Sequence, residues 1–466
     1  MKRYKRLAIL AGILVVACVI TFAVSQYEER KEEIKTTDAV ILSLDSQTVQ
    51  TIAWETEEQS LAFHREDGTW FWDEDSAFPV DEEKMEELLG HFASFGAAFI
   101  IENVEDFGQY GLDDPVCTIS MTTDEDSYEV LVGEFSTMDQ QRYVSIGDGN
   151  VYLVNEDPAE AFDVAIEGVI DNDDAPTIAQ AQSIAFTGED EYQVTYQAEG
   201  GASYRGEDVY FTQLDNGETL PLDTQLVEGY LSQLEGLSLT DYVTYNATEE
   251  EIQACGLDDP EFTVSVDYTW TDEDDQVQSS TFLLQLRRDP EELAAAGDDE
   301  EALAEVTAYA RVGQSKILYQ ITADEYDSLT AASRNDLRHQ EVLPADLDDI
   351  SKIDVTLDGQ TYTITAEQTE EGPVYSYGEE TLEDGDLEGC LEALTATSFT
   401  DEQPTQQEEL TLTIYPDVEG DPSVTITFYR YNGTDCLAVV DGSPLCLVQR
   451  SAVIDLVEAV NGVVLE

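Results

Sequence analysis

The sequence predicts an α+β protein: three tandem related modules of mainly antiparallel sheet with one principal helix each, behind one N-terminal transmembrane helix. Three observations carry this expectation. Tyr110-Gly111-Leu112-Asp113-Asp114-Pro115 recurs as Cys255-Gly256-Leu257-Asp258-Asp259-Pro260, 145 residues downstream. Strand-like segments separated by turn residues recur in the same order around both copies. An aspartate also precedes helical apolar positions in the same phase three times. Met85 and Leu89 lie four and eight residues after Asp81, Val227 and Leu231 after Asp223, and Cys390 and Leu394 after Asp386.

Residues 1–6 are basic, and residues 7–24 form an uncharged, mainly apolar run of 18. As a helix that run would span about 27 Å, near the thickness of a bilayer's hydrocarbon core. Lys2, Arg3, Lys5 and Arg6 assign the tail to the cytoplasm under the positive-inside tendency, and 25–40 reads as a linker. Val15-Val16-Ala17-Cys18 resembles a lipoprotein processing site, which would lipidate Cys18, and a cleaved signal is a third possibility. All three place the body of the chain outside the cytoplasm, and the expectation is a single-pass cell-membrane protein.

The first module, 41–176, opens with strand-like Val49–Trp54 and Ser60–Arg65, a turn at Asp67-Gly68, and Thr69–Trp72. Asp81 then caps a helix whose stripe is Met85, Leu88, Leu89, Phe92 and Phe95. Strands Val116–Thr122 and Ser127–Val132 follow, and a hairpin of Arg142–Ile146 and Val151–Val154 closes the unit. The second module, 177–344, repeats this order: Val209–Phe211, Asp223, then a stripe of Leu226, Val227, Tyr230, Leu231 and Leu234. Its strands are Phe262–Trp270 and Ser280–Leu286, closed by Ala308–Val312 and Ile317–Ile321. An insertion at Asp289–Glu305 predicts an extra surface helix. The third module, 345–466, is degenerate and lacks the Gly-Leu-Asp-Asp-Pro element. Its strands are Val374–Tyr377, Leu410–Tyr415, Ser423–Tyr429, Leu437–Val440 and Leu445–Val448.

Charge excludes one class of partner. The chain has 102 acidic and 20 basic side chains, for a net charge of −82, and beyond the first 35 positions 98 acids face 13 bases. Such a surface repels phosphate backbones, so no nucleic-acid partner is expected; it reads first as a solvated acidic face, with weak, diffuse divalent-cation binding as the alternative. Cys117 and Cys390 read as buried small hydrophobes. A turn at Gly442-Ser443 would set Cys436 opposite Gln449 rather than Cys446, so free thiols are expected.

Candidate chemistry is sparse. Gly111–Pro115 offers a carboxylate pair, but Gly for an unusual backbone angle, Leu as a core plug, Asp as a turn cap and Pro before a strand explain it structurally. The acidic runs Asp124-Glu125-Asp126, Asp171-Asn172-Asp173-Asp174 and Asp272-Glu273-Asp274-Asp275 fail EF-hand spacing. His64, His91 and His339 form no metal-binding pair, and no nucleophile elbow, zinc helix or phosphate loop occurs. Trp70 and Trp72 fall on one strand face, as core or as an inter-module contact, with sugar stacking as the alternative. The expectation is no enzyme, and no catalytic, cofactor or metal site.

Tyr110–Pro115 and Gly256–Pro260, supported by Asp67-Gly68-Thr69-Trp70, resemble the domain of unknown function 4340 family over about 41–343, with the last module fitting loosely. That resemblance implies a membrane-anchored extracytoplasmic accessory protein of an ABC-type transport system related to gliding-motility auxiliary components, and it supplies no catalytic residues. The alternative is an acidic binding module for cations or cell-wall material.

Overall fold

The structure, a computed structural model, describes residues 33–464 apart from 199–202, 204, 206, 215–216, 273–274, 344–346, 358, 370–371, 379, 382–385 and 418–422. The expected membrane helix at 7–24 and Cys18 lie outside the described residues. No helix among those described is long and apolar enough to cross a membrane. The chain divides into two compact units at Asp173/Asp174. The first holds one nine-stranded antiparallel sheet and the second holds two.

The first sheet comprises β1 (Glu33–Leu42), β2 (Val49–Thr56), β3 (Ser60–Glu66), β4 (Thr69–Trp72), β5 (Phe95–Glu102), β6 (Cys117–Thr123), β7 (Ser127–Ser136), β8 (Gln141–Ser145) and β9 (Val151–Val154). Its order is β1-β5-β9-β8-β7-β6-β2-β3-β4. The second is built from β10 (Gln180–Thr187), β11 (Tyr192–Tyr196), β12 (Tyr210–Gln213), β13 (Thr219–Pro221), β14 (Tyr242–Thr244), β15 (Phe262–Thr271), β16 (Val277–Arg288), β17 (Ala308–Val312) and β18 (Leu318–Ile321). The third is built from β19 (Ile350–Leu357), β20 (Gln360–Thr369), β21 (Gly372–Tyr377), β22 (Glu380–Thr381), β23 (Ala396–Phe399), β24 (Glu408–Pro416), β25 (Val424–Arg430), β26 (Asp435–Val440) and β27 (Ser443–Gln449). The orders β14-β18-β17-β16-β15-β10-β11-β12-β13 and β23-β27-β26-β25-β24-β19-β20-β21-β22 match the first sheet strand for strand over eight positions. The ninth strand differs. In the first sheet it is β1, beside β5; in the others it is β13 or β22, at the opposite edge.

Each sheet buries one face, as period-two alternation requires. Ile52 and Trp54, Leu61 and Phe63, Cys117, Ile119 and Met121, and Val130 and Val132 are buried in the first. Ile353, Val355, Leu410, Leu412, Ile414, Val424, Ile426 and Phe428 form the same face in the third. Helices cover that face. In α1 (Glu82–Gly90) the Asp81 carboxylate accepts the Lys84 backbone N–H, and Met85, Leu88 and Leu89 are buried. Further along the first unit is the short α2 (Pro158–Ala161). In the second module, α3 (Thr224–Glu235) is capped by Asp223 and buries Val227, Tyr230, Leu231 and Leu234. It is followed by α4 (Glu249–Ala254), α5 (Pro290–Ala296), α6 (Glu300–Leu303) and α7 (Ala323–Thr330), and the third module carries α8 (Asp386–Glu392) and α9 (Arg450–Val464).

Several expectations need correction. The linker at 25–40 runs into a strand, since β1 pairs with β5 along the sheet edge. Phe92 and Phe95 are core residues, but α1 ends at Gly90 and Phe95 starts β5. Leu226 is exposed, because it lies off the helix face that Val227 and Tyr230 turn inward. The insertion at Asp289–Glu305 holds two short helices, α5 and α6. Asp386 is the first residue of α8 rather than preceding it, and the third module's longest helix is the unforeseen α9, which buries Val453, Leu456 and Val460. Cys117, Cys255, Cys436 and Cys446 are free and buried, whereas Cys390 is only half-buried. Cys436 faces Val448, one residue from the expected Gln449, because the chain reverses at Asp441-Gly442 and β27 carries a bulge at Leu445.

Within the second unit, residues 337–343 strap the second module to the third. The Asp223 backbone N–H donates to the Leu337 carbonyl, and the Val342 N–H to the Leu394 carbonyl. The Arg338 guanidinium lies 4.0 Å from the Phe399 ring centre. Val342 and Leu343 belong to the third module's core.

Candidate functional site

The repeated Gly-Leu-Asp-Asp-Pro element is structural in both copies. Gly111 and Gly256 each have φ of 72°, a left-handed conformation that favours glycine. A short helical turn precedes each, and the N–H groups of Leu112 and Leu257 return to the carbonyls of Phe107 and Ile252. Both leucines are buried. The surroundings differ. A Cβ on Gly111 would lie 2.8 Å from the Glu134 backbone nitrogen, whereas on Gly256 it would meet the Arg287 side chain at 2.9 Å.

The chain then enters the sheet, and strand pairing aligns one corner across the modules. Cys117 pairs with Val132 and Val132 with Val144. Phe262 pairs with Leu286 and Leu286 with Ala310. Leu410 pairs with Phe428 and Phe428 with Ala438. The residue before each first partner is therefore Val116, Glu261 or Glu409. Two positions further along β8, β17 and β26 the pairs are Phe135 with Arg142, reached across a register shift, Arg288 with Ala308, and Arg430 with Cys436.

In the second module this corner opens into a cleft of about 690 Å³ lined by Asp190, Glu261, Phe262, Arg288, Tyr326 and Asp336, among others. Arg288 Nε donates to Glu261 Oε2 at 3.1 Å, its backbone N–H donates to the same oxygen at 3.2 Å, and Tyr326 Oη donates there at 2.9 Å. Burial alone would raise the Glu261 carboxyl, but these hydrogen bonds outweigh it and hold it below the usual carboxylate range. Burial, reinforced by Glu261, pushes the Tyr326 phenol up to about 12. On the rim, Arg334 donates from its backbone N–H and guanidinium to Asp190, at 3.2 and 3.3 Å. The chemistry is that of an ionic network facing a polar cleft, in which the Arg334 Nε is buried without a hydrogen-bond partner.

The third module places Glu409 at the same position and holds it with Arg450, whose Nε lies 3.1 Å from both carboxylate oxygens. Burial, with Glu409 nearby, pushes the Cys436 thiol up to about 12, so it is protonated at neutral pH. The first module has no acid here. Val116, Phe135 and Met138 are 44, 40 and 89% exposed. Arg142, stacked 5.3 Å from the Phe135 ring centre, is neutralised by Asp157 through Nε at 3.0 Å and Nη2 at 2.8 Å.

The residues singled out in the sequence are dispersed. His64 Nδ1 lies 2.5 Å from Asp73 Oδ1, and His91 Nδ1 lies 3.5 Å from Glu156. His339 Nε2 is 2.9 Å from the buried Asp208, on the strap. Trp70 is core, under the Arg65 guanidinium at 4.5 Å, while Trp72 is half-buried against Phe78. Asp124–Asp126 forms an exposed turn closed on Thr123. Asp272 accepts from the Gln276 backbone and Gln278 side chain, while 273–274 fall outside the described residues. Among the described residues no group of three or more His, Cys, Asp or Glu is disposed to hold a metal ion. The corner residues were missed by sequence reasoning, although Val116 and Glu261 directly follow the two repeated prolines.

A sequence model for the family described as Domain of unknown function (DUF4340) matches residues 70–205 and 213–413. The matches reach beyond the expected 343 into the third module, and each begins near the principal helix rather than at the first strand of its sheet. Neither a curated protein nor a solved structure matches the chain.

Proposed function

The chain belongs to the family described as Domain of unknown function (DUF4340), and from that premise we propose that it is a non-enzymatic, membrane-anchored extracytoplasmic accessory or scaffold protein of an ABC-type envelope transport system. The observation that carries the docking role is the divergence of one corner across three modules of common topology. Val116 and Phe135, Glu261 with Arg288, and Glu409 with Arg450 occupy it, while the strand order is kept in all three modules and the glycine turn beside it in the first two. A repeated fold that varies one surface position suits recognition, because several partners or epitopes are served without rebuilding the core. The apolar run at 7–24 supports the anchor, and the family resemblance supports the transport partner. The test is affinity purification of the full chain from gently solubilised membranes. Co-purification of a permease or ATP-binding subunit is expected, and its absence after mild crosslinking sinks the reading.

The net charge of −82 favours a second reading, a cation-binding module. Calcium stabilisation saturating at a small stoichiometry would support it, and a shift equalled by the same ionic strength of sodium chloride would dismiss it.

A further inference from the structure

In a chain with 102 acids, an acidic cleft says little about its ligand, because any concave surface will be acidic. The informative exposed groups are those that go against composition. Seven large hydrophobics are notably exposed among the described residues, and three of them, Val116, Phe135 and Met138, lie at the first module's corner or in the loop that leaves it. Phe135 is the penultimate residue of β7 and Met138 sits in the loop to β8, while Val116 directly precedes β6, its N–H bonded to the Val132 carbonyl of β7. The sister modules fill the matching positions with Glu261 and Arg288, and with Glu409 and Arg430. The apolar character is thus specific to the first module and is not demanded by the fold.

We infer that this corner is a docking surface for a partner protein segment that presents an apolar side chain flanked by lysine or arginine. The inference rests on the scaffold reading and names the chemistry of its partner. Whatever docks must still tolerate the acidic surroundings: Asp113, Asp114, Glu134 and Asp139, exposed and within three residues of Val116, Phe135 or Met138 in the chain, repel an acidic segment and favour lysine or arginine flanks. Arg142, whose guanidinium stacks on Phe135, is already held by Asp157. A second copy of the chain is a poor occupant, because each copy brings a net charge of −82 and a matching acidic rim.

The test uses the full chain in detergent and two labelled twelve-residue peptides, one alternating lysine with leucine and one alternating lysine with serine. Binding is measured in 0.5 M sodium chloride, where the Debye length is about 4–5 Å and diffuse attraction is screened. The leucine peptide should bind at least tenfold more tightly than the serine peptide. Met138→Ser, in an exposed loop, should shrink that ratio at least threefold, and Phe135→Ser/Met138→Ser should abolish it while leaving the serine peptide's affinity unchanged. An undiminished ratio in both variants overturns the inference, as does a wild type that does not discriminate. Concentration-dependent dimerisation removed by Met138→Asp also overturns it, in favour of self-association. Loss of the transport partner in the co-purification experiment, with the peptide ratio intact, would sink the transport assignment and leave this surface standing.

Discussion

The first and second modules share a backbone at the Gly-Leu-Asp-Asp-Pro turn and part company one residue later. Gly111 and Gly256 have the same φ, and Leu112 and Leu257 are both buried. Yet Val116 meets solvent where Glu261 is bound by Arg288 and Tyr326. The difference separates two kinds of constraint. The turn answers to the main chain and to core volume, which are the same in both modules, so its sequence is kept. The following residue answers only to what lies outside the core.

If that division is right, the two leucines should be interchangeable in their energetics. Leu112→Ala and Leu257→Ala should each cost about 2–5 kcal/mol, the range for buried leucine truncation, and the two costs should agree within about 1 kcal/mol. Urea unfolding followed by a probe in each unit measures this. A large mismatch would mean that the copies do not play the same structural part. The glycines should differ more. Gly111→Ala drives a methyl against the Glu134 backbone nitrogen, whereas Gly256→Ala meets the Arg287 side chain, which can swing away. We expect about 2–3 kcal/mol for the first and about 1–2 kcal/mol for the second, of which the left-handed backbone supplies about 1–2 in each. Equal costs would break the distinction.

The charged corner of the second module makes a smaller, pH-dependent contribution. Glu261→Gln leaves Arg288 without its carboxylate and should destabilise by about 1–2 kcal/mol at pH 7, discounted because Arg288 is partly solvated. The folded pKa of Glu261 is lowered, so its stabilisation is complete above the unfolded value of about 4.3 and is lost as pH falls through the lowered folded value. The gap between wild type and variant should therefore narrow progressively as pH falls below about 4.3. A gap that does not narrow on acidification would mean that the glutamate acts by packing rather than by charge.

The parts of this comparison legible in the sequence are those set locally. Turn glycines, the caps at Asp81 and Asp223, and alternating buried residues from Ile52 to Met121 carry their own signals. What long-range pairing decides was not legible. β1 mixes Glu33, Lys35 and Asp38 with apolar residues and becomes a strand only because β5, some 60 residues on, offers an edge. α9 is rich in valine, which favours strands, and only the spacing of Val453, Leu456 and Val460 marks its helical face. The corner needed the register of three strands before Val116, Glu261 and Glu409 could be recognised as one position.

The smallest expected effect is the most discriminating. Val116→Glu gives the first module the acid of its sisters without the arginine that holds it, since Phe135 occupies the matching position and Arg142 is committed to Asp157. Val116 is 44% exposed, so the side chain gives up little burial and the new carboxylate can remain hydrated. Stability should change by no more than about 0.5 kcal/mol, as for surface substitutions generally. Val116→Glu with Phe135→Arg would then recreate the second module's pair, and a surface pair of this kind is worth only about 0.2–1 kcal/mol. A loss of several kcal/mol on Val116→Glu, seen as a fall in the unfolding midpoint of the first unit alone, would show that the exposed valine is bound to the fold. The module-specific apolar corner would then be a packing detail rather than a surface kept free for a partner.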